Sequence, residues 1–495
     1  MQNCTHSRVP AVTAFALVAL YGAASPASAQ FVEPGTVVLH TFSGELAGDQ
    51  FGWVSENLGD ITGDGVNDLV ITAPGNDTGG SNRGRVYVYN GATGALVFPP
   101  IGGALNGGRF GDSVHAAGDV NGDGVTDIII GSPAASVSRG RVAVHSGADG
   151  SEVHLWLGEL GGDRFGSDVA GLGDIDGDGR SDLVIGAISH DTAGTSAGRA
   201  YVYSGMTAAL ICSIDGEGAG DAFGAGVAPV GDLNGDNITE FVVGAQSYGP
   251  TGTAGTGRAY VYSGADCLLP GPQVPMFVLN PLPSPAALFG QWFVDGGHDV
   301  DNDGTPDIYI SDYNANRAYV FSGATGSQIR IYSGDGGGGF GIGRMAGDVD
   351  QDGWADMLLA AWISPVGATQ AGKGFVYSGR TSQVLQTYTH NVAFAQLGFD
   401  ANEMGDVNGD GRIDFLLTAA NDGSARGKAY LVAGNTPVFS KADIDLDGDV
   451  DGDDAEALAA VLIDSPIETL HAQRADVNAD GQADALDIQA FVEAL

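Results

Sequence analysis

An acidic nonapeptide returns seven times along this chain, and its period limits the fold more than any other feature. The second copy, Asp119 to Asp127, reads DVNGDGVTD. Oxygen-bearing side chains fall at positions 1, 3, 5 and 9, with glycine at position 6. A loop that wraps a hard cation has this layout. Alternate side chains converge, Gly124 makes the sharp turn, and the carbonyl of Val125 can face inward. Without a cation, three carboxylates would crowd into nine residues and repel one another. The copies begin at Asp60, Asp119, Asp174, Asp232, Asp299, Asp348 and Asp406. The 346 residues between the first and last start, divided over six intervals, give a period of about 58. That period belongs to propeller blades rather than to short solenoid turns.

Each copy has the same surroundings. Upstream stands Phe51-Gly52, Phe110-Gly111, Phe165-Gly166, Phe223-Gly224, Phe289-Gly290, Phe340-Gly341 or, in the last repeat, Leu397-Gly398-Phe399. Downstream comes a short apolar run such as LVITAP (69–74), then an alternating aromatic run such as GRVYVYNG (84–91). A fourth run follows, ALVFPP (95–100) in the first repeat and QIRIYSG (328–334) in the fifth. Four short strands with glycine-rich turns predict one four-stranded antiparallel sheet per repeat. A lone sheet of this size cannot bury both faces, but seven stacked radially bury one another. The fold class is therefore all-β, a seven-bladed β-propeller. The phenylalanine of each Phe-Gly pair is expected to pack between blades. The seventh repeat ends at KAYLVAGN (428–435) without its fourth strand, while a spare strand, VVLHTFSG (37–44), precedes the first repeat. The chain start is expected to supply the missing strand and cover an open sheet edge.

From about residue 37 to 435 the repeats resemble FG-GAP repeats, the units of the integrin α-chain head propeller and of many secreted bacterial proteins. The resemblance rests on Phe-Gly, DxDxDGxxD and Gly-Arg-hydrophobic in register. It implies calcium held by side chains at positions 1, 3, 5 and 9 and a carbonyl at position 7, up to seven ions in all. Those side chains are Asp119, Asn121, Asp123 and Asp127 in the second loop, and Asp174, Asp176, Asp178 and Asp182 in the third. The fifth offers Asp299, Asp301, Asp303 and Asp307, and the sixth Asp348, Asp350, Asp352 and Asp356. The seventh has Asp406, Asn408, Asp410 and Asp414. Two loops depart from the pattern. The first has Thr62 among Asp60, Asp64 and Asp68. The fourth has Asp232, Asn234 and Asp236, but Asn237 replaces the glycine and Glu240 closes it. Asparagine tolerates the left-handed backbone, and these two loops are expected to bind most weakly.

After Asn435-Thr436-Pro437 the β pattern stops. Asp443, Asp445, Asp447, Asp451 and Asp454 occupy positions 1, 3, 5, 9 and 12 of an EF-hand-like loop. Asp476, Asn478, Asp480, Asp484 and Asp487 repeat the arrangement 33 residues later. Each loop leads into a short amphipathic helix, carrying Leu458, Val461 and Leu462 or Ile488, Phe491 and Leu495. The tandem resembles a type I dockerin, which implies two further calcium ions and a cohesin-like partner. Where dockerins present partner-reading residues, this chain has Gly452-Asp453 and Ala485-Leu486 rather than a small hydroxyl pair. The expected domains are a signal peptide (1–29), the propeller (30–435), a linker (436–440) and the dockerin-like domain (441–495).

Address and charge agree with an extracellular role. Arg8, an apolar run from Ala11 to Ala24 and the small-residue site Ala27-Ser28-Ala29 read as an export signal. No other stretch is apolar enough to span a membrane. The formal charge of −41 argues against nucleic acid and anionic lipid as partners. Of 61 acidic residues, 33 sit at putative ligand positions, so the charge is mainly a cation-binding charge. Cys212 and Cys267 lie in corresponding regions of successive repeats but at different offsets. They are expected as two separate buried thiols, although an exported address permits a bridge.

No catalytic constellation emerges. The histidines are scattered, no G-x-S-x-G elbow or Walker loop is present, and the paired carboxylates all fall in cation loops. Trp53, Trp156, Trp292, Trp354 and Trp362 read as core or rim packing before sugar platforms. The expectation is a secreted, calcium-binding, non-catalytic adhesion, surface-display or assembly protein with a protein or glycan partner outside the cell. The alternatives are a lectin-like propeller with glycan sites between blades, or the propeller part of a secreted polysaccharide- or phospholipid-degrading system.

Overall fold

The computed structural model describes residues 30–249, 255–282 and 288–435. The expected leader, linker and paired-loop domain lie outside the described residues. Seven four-stranded sheets arise from the seven repeats. The chain enters through β1 (Val38–Ser43), and blade one follows as β2 (Ser55–Gly59), β3 (Asp68–Ala73), β4 (Arg85–Tyr89) and β5 (Ile101–Gly102), paired in that order. All pairings within blades are antiparallel. Every residue of β3, and of its counterparts Asp127–Ser132 and Asp182–Ala187, is buried. These second strands are covered on both faces, so they read as unbroken apolar runs instead of alternating ones.

The core is divided among the blade boundaries. Seven apolar clusters form among the described residues, and each joins two neighbouring blades. One of them joins Leu416, Ala429 and Leu431 of blade seven to Phe51, Leu69 and Ile71 of blade one, which closes the circle. The Phe-Gly phenylalanines sit in these boundaries as expected. Phe165 packs edge-on against Tyr201 at 5.4 Å, and Leu397 takes the same buried place in blade seven. Glycine opens six of the seven third strands, with Asn316 at φ +57° taking its place in blade five. Gly140 has φ +88°, and a Cβ there would lie 2.0 Å from the carbonyl oxygen of Phe165 in the next blade. Only glycine meets both conditions.

Closure uses the chain start. β1 pairs with Lys428–Val432 at the outer edge of blade seven, giving that sheet its fourth strand. Ahead of it, Phe31 bridges to His390 at the edge of blade six, and the Val32 amide donates to Thr389 at 2.8 Å.

Two expectations are corrected. The fourth strand of blade one is not the run 95–100. Leu96 makes a lone bridge to Tyr89, and the ladder resumes at Ile101–Gly102. Pro99 and Pro100 carry no amide hydrogen and cannot donate into it. Cys212 and Cys267 are bridged, with Cα atoms 5.4 Å apart. Cys212 lies on the outer strand of blade three (Leu210–Asp215). Cys267 lies on a short helical turn of blade four, Gly264–Cys267, which sets it against that strand. Equal offsets were never needed, because the turn makes up the difference. Opening this 55-residue link, by a Cys212→Ser, Cys267→Ser double variant, is expected to cost about 4 kcal/mol on a chain-entropy account. Urea unfolding with and without the bridge measures it.

Candidate functional site

Each acidic loop joins the end of a first strand to the start of a second, so all seven lie at the same end of the ring. Neighbouring loops touch. The Ser181 amide donates to the Asp119 carbonyl and the Ala355 amide to the Asp299 carbonyl, both at 3.0 Å. The Arg180 guanidinium reaches back to within 3.9 Å of Asp119.

Within a loop, position 1 organises the backbone. One oxygen of Asp174 accepts from the amides of Gly177 and Asp178 and the other from Gly179, at 2.7 to 3.0 Å. Position 9 ties the loop to the sheet. Asp182 accepts from the Ile175 and Asp176 amides with one oxygen, and with the other from Gly205 in the turn after the third strand. Asp68, Asp127, Asp307, Asp356 and Asp414 repeat both contacts. Glu240 accepts from Leu233 at 2.7 Å, and Asn237 has φ +65°, so the fourth loop keeps its shape despite both substitutions. The sequence reading assigned position 9 to the cation alone. Its carboxylate also clamps the loop, and in Asp182 the oxygen that accepts only from Gly205 keeps a lone pair free for an ion.

Three loops draw carboxylates together tightly enough to hold one ion. Asp174, Asp176 and Asp182 form one group, Asp299, Asp301 and Asp303 a second, and Asp348, Asp350 and Asp356 a third. In each, one oxygen per residue lies within 4.8 Å of the others. These are the loops with aspartate at position 3. Elsewhere a neutral group takes that place. Asn121 donates to Asp123 and Asp127, and Asn234 to Glu240, while Thr62 accepts from Asn90. One oxygen of Asp301 is buried with no hydrogen-bond partner.

Burial raises the position-9 carboxyls. Desolvation pushes Asp127, Asp182 and Asp414 up to about 6, Glu240 and Asp307 to about 7, and Asp356 to about 8. The backbone amides around each oppose the shift, and neighbouring carboxylates add to it at Asp356. The folded, cation-free protein therefore holds protons that the unfolded chain has released. The stability these protons contribute is fully present below about pH 4 and is lost as pH rises through 6 to 8. Melting scans in chelator between pH 5 and 8 are expected to show a falling melting temperature.

The opposite end of the ring carries a feature the sequence reading missed. A cavity of about 630 Å³ lies on the axis, lined by residues just after the Phe-Gly pairs and just after the second strands. Trp53, Gln291 and Phe399 represent the first set, and Gln246, Tyr313 and Trp362 the second. The cavity wall also carries Arg344, paired with Glu56 at 3.1 Å. Desolvation pushes Asp168, also in the cavity wall, up to about 7. A sequence signal existed. At these two offsets the repeats stop agreeing with one another.

Fold and site together define a seven-bladed β-propeller, several of whose repeats match FG-GAP repeat models. The FG-GAP repeat model matches residues 52–89, 110–145, 165–203 and 223–262, and the FG-GAP-like repeat model matches 299–359. Among curated proteins the chain is similar to integrin alpha chains. Integrin alpha-4 of Xenopus laevis is 33% identical over 174 residues, 33% of this chain and 17% of the relative. Integrin alpha-V of Gallus gallus is 30% identical over 245 residues, 46% and 22% of the two chains. Integrin alpha-IIb of Homo sapiens is 30% identical over 268 residues, 51% and 24%. The similarity thus spans about a fifth of the length of these relatives. Among the described residues no helix is long and apolar enough to cross a membrane.

Proposed function

We propose that the chain is an exported calcium-binding propeller with a non-catalytic role in adhesion, surface display or assembly. The observation that carries this reading is the ring of loops at one end, three of which gather carboxylates within 4.8 Å. The donor set suits calcium, being all oxygen, flexible in number and mixed with amide and hydroxyl groups. The partnerless buried oxygen of Asp301 fits the same ion. In the second, fourth and seventh loops the position-3 amide would turn over to present its oxygen. Similarity to integrin alpha chains supports a binding rather than a catalytic role. Residues 1–29 supply the export signal, and 441–495 form a dockerin-like attachment module with two more calcium loops and a cohesin-like partner.

Calcium would fix the loops and so make capture of a partner calcium-dependent. The test is a pull-down from the native envelope or medium, with calcium and with chelator, repeated after deletion of residues 437–495. Capture that needs calcium supports the reading, and its loss on deletion places attachment in the C-terminal module. Equal capture with chelator argues against it.

A further inference from the structure

The seven repeats keep a common pattern along their second and third strands, yet around the axial cavity they diverge. The residue after each second strand is Pro74, Pro133, Ile188, Gln246, Tyr313, Trp362 and Ala420 in turn. A purely structural position in a ring of similar blades has no reason to vary so widely. The variation builds an asymmetric chamber whose walls are aromatic on some sides and polar on others.

Three of the five tryptophans converge there. Trp53 and Trp362 flank Phe399, with ring centroids 4.8 and 5.5 Å from it. Trp292 stacks on Tyr313 and is 43% exposed. An exposed tryptophan at a cavity mouth leaves a large apolar face in water that a ligand can cover. Beside these rings, Arg109 lies over Trp53 at 5.1 Å, forked onto Asp112 at 2.8 and 3.0 Å. Gln246 and Gln291 add side-chain amides to the same wall.

We propose that this axial cavity binds a saccharide, a short stretch of pyranose units. A pyranose ring has an apolar C–H face to lay on indole and hydroxyls to meet the Gln246 and Gln291 amides and the Arg109–Asp112 pair. Other ligand classes fit less well. A phosphate-rich ligand meets Asp112 and Asp168, and of the three lining arginines Arg109 and Arg344 are already neutralised by carboxylates, which leaves Arg164 alone to hold it. An alkyl chain would leave the polar wall unsatisfied. The volume falls within the usual range for small ligands and is too small for a folded partner. The inference does not depend on the calcium loops at the other end of the ring.

The experiment uses the full chain, with calcium held constant in every arm. An array of neutral and uronic-acid oligosaccharides is screened first, and positives are titrated in solution by tryptophan fluorescence and calorimetry. At least one oligosaccharide is expected to bind saturably and perturb the tryptophan emission. Trp292→Ala should weaken it by about tenfold or more, as for a buried aromatic anchor. Gln246→Ala should weaken it too, and Met206→Ala, exposed on the loop side of blade three, should not. If uronates bind better than neutral sugars, Arg164→Gln, in the cavity lining, should remove the preference. No saturable binding by any oligosaccharide overturns the proposal. So does binding that survives both Trp292→Ala and Gln246→Ala in variants that melt like the parent.

Discussion

Stripping divalent cations from the protein is expected to lower its melting temperature by roughly 5–15 °C. Calcium loops of the extracellular class dissociate at about 10⁻⁴ to 10⁻³ M, so at about 2 mM calcium each occupied loop contributes about 0.6–1.8 kcal/mol. Seven such loops contribute roughly 4–12 kcal/mol. An unfolding entropy of about 2.1 cal/mol/K per residue over about 400 residues converts this to the stated shift. The mechanism is local to each blade. Without an ion, clustered carboxylates such as Asp348, Asp350 and Asp356 must repel one another or stay protonated. Magnesium, which demands a stricter geometry and keeps its waters, is expected to restore less of the loss. Differential scanning calorimetry in calcium, magnesium and chelator measures all three states.

The second large effect is expected from the chain start. Deleting residues 37–44 should abolish the soluble monomer. β1 carries five paired positions on Lys428–Val432, and without it that strand becomes an open edge beside an unfilled boundary. Phe42 shows what the strand holds. Its ring is buried and lies 4.5 Å from Tyr89, so a residue of blade seven packs against blade one. Phe42→Ala alone is expected to cost about 3–5 kcal/mol. Size-exclusion chromatography reports the deletion, and urea unfolding reports the point variant. A deletion variant that elutes as a compact monomer would show that the ring closes some other way.

How much of this was legible in the residues follows from what repetition can and cannot convey. Blade number, strand order within a blade and the loops were readable because seven copies state the same pattern. Closure by residues 37–44 was readable as well, since one repeat lacks a strand and the chain start has one spare. What escaped was whatever a single repeat does differently. Pro99 and Pro100 shift the ladder of blade one, and the turn at Gly264–Cys267 brings a cysteine onto its neighbour's edge. The axial cavity escaped for the same reason. Trp53 and Trp362 are separated by 309 residues and by different offsets in their repeats, and only the ring sets both against Phe399. The double duty of the position-9 carboxylates was also hidden. Spacing marks Asp182 as an oxygen donor, but not the three amides that already point at it.

That cations lock the ring is tested most directly by counting them. Native mass spectrometry of the full chain, titrated with calcium, is predicted to show stepwise uptake towards nine ions, seven for the propeller loops and two for the C-terminal pair. A Thr62→Ala, Asn234→Ala variant should lose only the ions that bind last. A chain that stays folded and takes up no calcium at millimolar concentration would contradict the account.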